Sequence, residues 1–442
     1  MAEIYDIAVI GGGPAGYAAA VRAAKLKKSV ILFEERALGG TCLNRGCIPM
    51  KSLLRSSQLY FEAGEFSSLG IVAKDIRFDE AAAYLKKDEI CSLLRSGVEK
   101  LLSSLSVKVI NERAEILDKG IIEAGGEKYK AVKILIALGS KPVMPNIKGE
   151  ERALTSDEVL ERPVPTDKII IIGGGVIGIE FAQYFSQIKK DVTVIEARER
   201  ILPMFSKEIS VQLSSVMRKN GVKFVTGQKT AEILADGVML ESGEKIEAGA
   251  VIMAIGRKSN IDADKLEKIG IVCQNGYIKV NDNFETTLGG VYACGDAIGG
   301  ALLAHKAHAE AICAVEAMLG QKKSIDLSAV PSCVYTFPQI AAVGSVEGVK
   351  VGKFLMGANG KSVIDGSDRG FAKIFADEDD NITGAEIFSV NATEIISEIA
   401  VAVKNKLKES DITSVIHPHP TVSEALFEAA EDIYGLATHK AR

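Results

Sequence analysis

Two cysteines five residues apart are the residues most able to do chemistry in this 442-residue sequence. Cys42 and Cys47 lie in the stretch GGTCLNRGCIPMKSLL. A regular helix would separate positions i and i+5 by roughly 8.6 Å, beyond the Cα–Cα distance of about 7 Å that a disulfide allows. Because Gly46 can bend the backbone and Pro49 suits a first helical turn, the stretch can still bring the two sulfurs together. A local disulfide is therefore feasible.

A redox role explains this pair better than a structural bond does, because closing so short a loop removes little entropy from the unfolded chain. Unpaired N–H groups at a helix N-terminus lower the pKa of a nearby thiol, and Arg45 and Lys51 add positive charge. A structural pair and a metal site stay open as alternatives, although no second Cys or His pair has finger-like spacing. The other cysteines stand singly among apolar neighbours and are interpreted as core residues: Cys91, Cys273, Cys294, Cys313 and Cys333.

A duplicated Gly-rich segment could supply the cofactors for such chemistry. The stretch IAVIGGGPAGYAAAVRAAKLKKSVILFEE at 7–35 aligns without gaps on IIIIGGGVIGIEFAQYFSQIKKDVTVIEA at 169–197. Each copy predicts a buried strand, a Gly-rich turn, a helix of about four turns and a second strand that ends in a carboxylate. This arrangement is typical of dinucleotide-binding folds, so we expect two dinucleotides.

Three glycines in each copy are expected to make the turn, to let a pyrophosphate approach the backbone, and to let the helix pack on the strand. In chain order they are Gly11, Gly13 and Gly16 in the first copy and Gly173, Gly175 and Gly178 in the second. Glu34 and Glu196 end the second strands and can accept hydrogen bonds from a ribose. Because a carboxylate repels a 2′-phosphate, Glu196 favours NAD over NADP, and Arg198 and Arg200 are interpreted as a solvated surface pair.

Composition and charge exclude several classes of protein. The hydrophobic content of 47% and the charged content of 25% are typical of a globular protein. A net charge of -5 gives no electrostatic reason to expect nucleic acid or an anionic membrane as a partner. The first apolar run begins at Ile7, which leaves no room for a signal peptide, so we expect a cytoplasmic protein. Thiols stay reduced there unless they are catalytic, which favours a redox role for the cysteine pair.

The order of motifs along the chain resembles that of the pyridine nucleotide-disulfide oxidoreductase family. The motifs are GGGPAGYAAA, GGTCLNRGCIPMKSLL, GGGVIGIEF, YACGDAIG, LAHKA and HPHPTVSEAL. The resemblance implies an α/β fold with two Rossmann-like dinucleotide-binding domains, for FAD and NAD, and a C-terminal α+β dimerisation domain. The implied segments are 1–142 and 257–325 for the two parts of the FAD domain, 143–256 for the NAD domain, and 326–442 for the interface domain.

The same resemblance implies which residues hold the cofactors. On the FAD side they are Gly11, Gly13, Gly16, Glu34, Lys51, Gly139, Asp296 and Ala304. On the NAD side they are Gly173, Gly175, Gly178, Glu180, Glu196, Gly256 and Arg257. Within these sets, Lys51 and Glu180 match an ion pair beside the flavin ring.

The resemblance also implies an activity. A dihydrolipoamide group attacks the disulfide at Cys42, electrons pass from Cys47 to FAD, and NAD is reduced to NADH. His419 matches the base that serves the other subunit's disulfide, with Glu424 as its orienting partner, so a homodimer is expected. His417 is expected only to shape the turn with its neighbouring prolines. The implied partner is a lipoyl-bearing protein of a 2-oxoacid dehydrogenase or glycine cleavage complex.

Two alternatives remain at this point. The chain could be another disulfide reductase of the same fold, similar to glutathione reductase, or a flavin redox sensor or scaffold that rarely turns over. A base at His419 argues against a sensor, which needs none. One segment, AAVGSVEGVKVGKF, is shorter than in most family members, where a further short helix would be expected.

Overall fold

The computed structural model describes residues 3–440. The strands are β1 (Ile4–Ile10), β2 (Val30–Phe33), β3 (Lys108–Ile110), β4 (Ala114–Asp118), β5 (Ile121–Ala124), β6 (Glu127–Ile136), β7 (Ser140–Pro142), β8 (Leu154–Thr155), β9 (Lys168–Ile172), β10 (Asp191–Glu196), β11 (Lys223–Thr226), β12 (Thr230–Leu234), β13 (Gly237–Leu240), β14 (Lys245–Glu247), β15 (Ala250–Met253), β16 (Arg257–Ser259), β17 (Cys273–Gln274), β18 (Tyr277–Ile278), β19 (Val291–Ala293), β20 (Ser332–Val334), β21 (Gln339–Gly344), β22 (Lys350–Leu355), β23 (Phe371–Ala376) and β24 (Ile382–Ser389). The helices are α1 (Pro14–Lys25), α2 (Gly40–Arg45), α3 (Cys47–Glu62), α4 (Glu80–Ser104), α5 (Ser156–Glu161), α6 (Val176–Gln187), α7 (Lys207–Lys219), α8 (Ala263–Lys268), α9 (Ala304–Met318), α10 (Gly360–Ile364), α11 (Ala392–Asn405), α12 (Glu409–Thr413) and α13 (Glu424–Glu431).

The first main sheet carries the first Gly-rich segment. Its strand order is β3-β2-β1-β6-β5-β4, and β19 pairs in parallel with the end of β6. The strands β1, β2, β3 and β6 are mutually parallel, so their carboxyl ends lie at one edge, where dinucleotides bind in open α/β sheets. Because β19 comes from late in the chain, two distant segments complete this sheet.

Helices α1 and α9 cover one face of this sheet through small side chains. Ala19 and Ala23 of α1 and Ala311 and Ala314 of α9 are fully buried in the same core. Alanines let two helices approach each other and the sheet closely, so the turn between β1 and α1 is held on a rigid support.

The second main sheet carries the second Gly-rich segment. Its five strands follow the order β11-β10-β9-β15-β8, and every pairing is parallel. The strand β9 reads KIIII and is buried on four of its five residues, as expected for a parallel strand covered on both faces. The short antiparallel pair of β7 with β16 lies where the chain leaves the first sheet and where it returns. The domain limits at 142 and 256 stay predictions.

The third main sheet lies in the C-terminal segment. It is antiparallel, with the order β20-β21-β24-β23-β22, and α11 and α13 pack on it around a shared core. Residues 345–349 join β21 to β22 without an intervening helix, as the short segment of the sequence indicates. The expected fold class, with two Rossmann-like units and a C-terminal α+β unit, is therefore confirmed.

Candidate active site

Both Gly-rich turns and both cysteines line one cavity of about 2300 Å³. The first turn contributes Gly11 and Gly13, and the second contributes Gly173 and Gly175. Cys42 and Cys47 lie in the wall of the same cavity. The two predicted cofactor sites and the predicted redox pair are therefore joined in one continuous space.

The two Gly-rich turns have the same local geometry. In the first, the Gly12 N–H donates to Glu34 Oε2 over 2.7 Å, and the Arg36 N–H donates to Glu34 Oε1 over 2.9 Å. In the second, the Gly174 N–H donates to Glu196 Oε2 over 2.7 Å, and the Arg198 N–H donates to Glu196 Oε1 over 2.8 Å. Each strand-end carboxylate thus fixes the turn beside it and stands where a ribose would be recognised.

The glycines of the two turns form two groups, those that the backbone geometry requires and those that leave space in the cavity. Gly11 and Gly173 have φ of +103° and +112°, a backbone region that favours glycine. A Cβ on Gly16 or Gly178 would collide with the carbonyl oxygen of the first glycine of its own turn. The fold itself therefore needs these four glycines.

The middle glycines are not required by the protein itself. Gly13 and Gly175 have φ of -70° and -77°, which any residue adopts. A Cβ on Gly13 would come no closer than 3.7 Å to another atom, and one on Gly175 would meet nothing within 4 Å. Both face the cavity, where a Cβ would occupy the space that a pyrophosphate needs. This open cradle at each turn fits the two expected dinucleotides.

Several predicted cofactor residues meet at the junction of the two sheets. Ser140 Oγ donates to Asp296 over 2.6 Å, beside the start of α9 at Ala304. Gly139 and Gly256 both have positive φ, of +67° and +115°, in the two chain segments that cross between the sheets. All of these residues line the cavity.

Arg257 also lies at this junction, where its guanidinium makes several hydrogen bonds. Its guanidinium donates to Ser140 Oγ over 3.0 Å and to Asp157 over 3.1 Å. It also reaches Thr41 Oγ1, next to Cys42, at 3.4 Å. The predicted NAD-side residue Arg257 thus ties the junction to helix α2, which carries Cys42.

The cysteine pair lies where two helices meet. Cys42 belongs to α2, Cys47 is the first residue of α3, and Gly46 separates the helices. Both residues are free cysteines in this structure, and their thiols are close enough to affect each other's pKa. No disulfide joins them, as in the reduced form of the predicted redox pair.

The two thiols differ in acidity. The hydrogen bond from Cys42 and the charge of Lys51 lower the pKa of Cys47 to about 7, against the effect of its burial. The same hydrogen bond, together with burial, raises the pKa of Cys42. Arg45, the other residue predicted to add positive charge, pairs with Asp157, with its Nε 3.4 Å from the carboxylate. Cys47 is therefore the thiol that loses its proton first.

An ion pair between α3 and α6 lies beside the cysteines, as the family resemblance implies. Lys51 Nζ lies 2.9 Å and 2.8 Å from the two carboxylate oxygens of Glu180. The backbone N–H of Tyr335 donates to Glu180 Oε1 over 3.1 Å, and Lys51 Nζ stands 4.6 Å above the Tyr335 ring. Burial opposes the charge of Lys51, but Glu180 holds the pKa of Lys51 above its ordinary value.

The predicted base lies elsewhere on the surface. His419 Nδ1 is 2.9 Å from Glu424 Oε1, while Glu424 Oε2 accepts the Thr421 N–H over 2.8 Å. Burial opposes charge on Glu424, but these hydrogen bonds from Thr421 and His419 hold its pKa below the ordinary value. The side chain of His419 is 78% exposed and is absent from the described lining of its own chain's cavity.

Some neighbours of the site were not found from the sequence. Asp157 and Tyr335 carry no motif of their own, and only their place in the fold brings them to the cavity. Cys333, interpreted as a core residue, is partly exposed and lines the cavity. Cys91, Cys294 and Cys313 are buried, as expected.

Arg198 is exposed, as expected of a solvated residue, whereas Arg200 is only partly exposed. Arg200 donates to the carbonyl oxygens of Pro203 and Phe205 over 3.0 Å and 2.8 Å. Arg198 alone of the two lines the cavity, next to Glu196. Arg200 is thus held within its own loop and cannot meet a cofactor phosphate.

Two dinucleotide cradles that open into one cavity with a thiol pair define a flavin- and nicotinamide-dependent disulfide oxidoreductase. Comparison with known proteins is consistent with this class. The family model described as pyridine nucleotide-disulphide oxidoreductase matches residues 5–311, and that of the dimerisation domain of the same family matches residues 330–430. The chain belongs to this family.

Several known proteins align with this chain over nearly their whole length. A dihydrolipoyl dehydrogenase of Bacillus subtilis is 37% identical over 473 residues, which covers 99% of this chain and 100% of the relative. A dihydrolipoyl dehydrogenase of Chlamydia muridarum is 37% identical, with 97% of both chains covered. Among solved structures, LpdA from Mycobacterium tuberculosis is 26% identical with a TM-score of 0.89, covering 96% of this chain and 99% of that one.

A further solved structure widens the comparison. The HOCl-induced flavoprotein disulfide reductase RclA from Escherichia coli is 26% identical with a TM-score of 0.87, covering 97% of this chain and 99% of that one. Its overall likeness shows that the same fold serves more than one reductase. Among residues 3–440, no helix combines the length and apolar character that a membrane crossing requires.

Proposed function

We propose that this protein oxidises the dihydrolipoyl group of a partner protein to the lipoyl disulfide, with reduction of NAD to NADH. The observation that carries the proposal is the thiol pair in the cavity shared by both dinucleotide cradles, with Cys47 the more acidic thiol. Its nearly full-length similarity to dihydrolipoyl dehydrogenases supports the choice of substrate.

The cysteines carry the first step. In the oxidised protein one thiolate of the substrate attacks Sγ of Cys42, so that the Cys42–Cys47 bond breaks and a mixed disulfide forms on Cys42. Cys47 leaves as the thiolate, which its lowered pKa of about 7 favours. The second substrate thiolate then attacks the mixed disulfide, releases the lipoyl disulfide, and leaves both cysteines reduced.

His419 and Glu424 supply the proton transfer. The substrate thiol must lose its proton before it attacks, and the free Nε2 of His419 can accept that proton while Nδ1 is held by Glu424. The imidazolium then returns its proton to the sulfur of Cys42 as that sulfur leaves, and the proton of the second substrate thiol is released to water. Because His419 does not reach its own chain's cavity, we propose a homodimer in which each subunit's base serves the other subunit's cysteines.

When bound, FAD and NAD would supply the redox chemistry that carries two electrons from the cysteine pair to the nicotinamide. Gly13, Glu34 and Asp296 would hold FAD, and Gly175 and Glu196 would hold NAD. The ion pair of Lys51 with Glu180 fixes a positive charge beside Cys47 and stabilises its thiolate. The proposed compartment is the cytoplasm, where the reducing environment suits a catalytic rather than a structural thiol pair.

A single assay tests the proposal. Purified protein is supplied with lipoamide, glutathione disulfide or a protein disulfide, each with NADH or NADPH. We expect lipoamide with NADH to exceed every other pair by at least tenfold, which is about 1.4 kcal/mol in the transition state. Preference for glutathione disulfide with NADPH would indicate a glutathione-reductase-like enzyme, and flavin reduction without turnover would indicate a redox sensor. Cys42→Ser should retain FAD and lose turnover with dihydrolipoamide.

A further inference from the structure

The loop that carries His419 is held from both sides. This loop, residues 417–421, is called here the base loop. At its start, the His417 ring is only 7% exposed, and its Nε2 lies 3.0 Å from Glu398 Oε1 of α11. The ring also packs 5.8 Å from that of Phe427. His417 is thus a buried anchor, a larger role than the turn-shaping one expected from the sequence.

At the other end of the base loop, a buried amide holds the backbone. Asn359 is 3% exposed, and its Nδ2 donates to the carbonyl oxygen of Thr421 over 3.0 Å. Thr421 lies two residues after His419, and its N–H donates to Glu424 Oε2. The peptide groups of Thr421 are therefore bound on one side by Asn359 and on the other by the carboxylate that orients the imidazole.

The amide of Asn359 is itself fixed in one orientation. Its Oδ1 accepts the N–H of Ser362 over 2.9 Å as the N-cap of α10, and it accepts Ser362 Oγ over 3.0 Å. Ser362 is fully buried. With its oxygen occupied in this way, the NH₂ group of Asn359 points at Thr421 and cannot turn away without breaking the helix cap.

We propose that Asn359 is a positioning residue for catalysis: it holds the base loop so that Glu424 can orient His419 for proton transfer. The inference rests on the proposed function, since it acts through His419. It goes beyond that function in assigning a role to a side chain 60 residues earlier in the chain, in a different element from the base. The alternative is that Asn359 matters only for stability, as the cap of α10.

Two variants separate these roles. Asn359→Ser keeps an N-cap side chain, because serine also accepts the N–H at the third helical position, but serine is too short to reach Thr421. Ser362→Ala removes a hydrogen bond from the same Asn359 oxygen in the same buried cluster, and leaves the donor to Thr421 in place. The second variant is therefore a matched control for loss of packing and stability.

The measurements are the pH profile of kcat with dihydrolipoamide and NAD, and the imidazole signals of the FAD-loaded protein labelled with ¹³C-histidine. The chain has only five histidines, so His419→Gln assigns the signal of His419. We expect Asn359→Ser to lower kcat about tenfold, part of the 10²- to 10⁴-fold effect of a general base. We also expect it to move the acid limb of the profile and the His419 signal, while KM changes less than twofold.

Ser362→Ala is expected to leave the pH profile and the His419 signal as in the parent. If Asn359→Ser and Ser362→Ala lower thermal stability alike and both leave the profile and the signal unchanged, Asn359 is only a cap and the inference is wrong. If His419→Gln itself leaves the pH profile unchanged, the proposed function fails instead, so the two failures are distinguishable.

Discussion

At the scale of single residues, the site depends on a difference between two thiols of the same type. Cys47 begins a helix, accepts a hydrogen bond from Cys42 and lies near Lys51, and its pKa falls to about 7. Cys42 donates that hydrogen bond, and its own pKa is raised. Arg45 is closer to Cys47 in sequence than Lys51 is, and it forms an ion pair with Asp157. One thiol is therefore prepared to leave as a thiolate and the other to bond with substrate.

The first prediction concerns Lys51→Met. The hydrogen bond from Cys42 and the charge of Lys51 lower the pKa of Cys47 to about 7, so alkylation of the reduced protein by iodoacetamide should rise with a midpoint near pH 7. Removing the positive charge raises the pKa of Cys47, and the midpoint should move upward by about one pH unit. Lys128→Met, an exposed lysine outside the cavity, is the control and should leave the midpoint in place. An unchanged midpoint in Lys51→Met would show that Lys51 does not stabilise the thiolate.

At the scale of secondary-structure elements, the protein uses one strand-turn-helix unit twice. The carboxylate that ends the second strand accepts the same two backbone N–H groups in both copies. The first and third glycines serve this backbone geometry, whereas Gly13 and Gly175 leave space. The two kinds of glycine should therefore respond differently to substitution.

The second prediction compares Gly13→Ala with Gly175→Ala. Neither added Cβ meets a close neighbour, so both variants, compared as apoproteins without FAD, should unfold within about 2 °C of the parent apoprotein, as surface substitutions usually do. Gly175→Ala should retain FAD and raise KM for NADH by about tenfold, or about 1.4 kcal/mol, because the methyl group occupies the space for a pyrophosphate. Gly13→Ala should instead lose FAD on dialysis, measured by the flavin absorbance. Equal effects of the two variants on both cofactors would contradict the assignment of one cradle to each.

Only part of the candidate site could be predicted from the sequence alone. The glycines, the strand-end carboxylates and the cysteines could be predicted because each set lies within a short stretch whose local geometry its own residues determine. The hydrogen bonds of Arg257 with Ser140 and Asp157, and of Asn359 with Thr421, join residues from separate elements. No local pattern marks such pairs, so only the packed fold reveals them. The difference in acidity between Cys42 and Cys47 likewise depends on neighbours that packing supplies.

At the scale of the whole molecule, the proposed catalytic groups are divided between two surfaces. The cysteines, Lys51 and Glu180 lie in the cavity between the first two sheets. His419 and Glu424 lie on the C-terminal unit, where residues 330–430 match the family's dimerisation domain. His419 is largely exposed in one chain. The proposed base is exposed on the dimerisation domain and lies outside the cavity of its own chain, which suits a site that two copies complete.

The third prediction tests this division by combining two inactive subunits. Homodimers of Cys42→Ser lack the attacked sulfur, and homodimers of His419→Gln lack the base, so each should lose nearly all lipoamide turnover. In a heterodimer of the two, one site pairs the intact Cys42 of one subunit with the intact His419 of the other. The heterodimer can be isolated by co-expression with two different tags and purification through both. It should show about half the parent's kcat, because one of its two symmetric sites is whole.

A heterodimer of Cys42→Ser with Cys47→Ser has no intact cysteine pair in either subunit and is the control that should stay inactive. No recovery in the first heterodimer would mean that base and disulfide act within one chain, against the exposed position of His419 seen here.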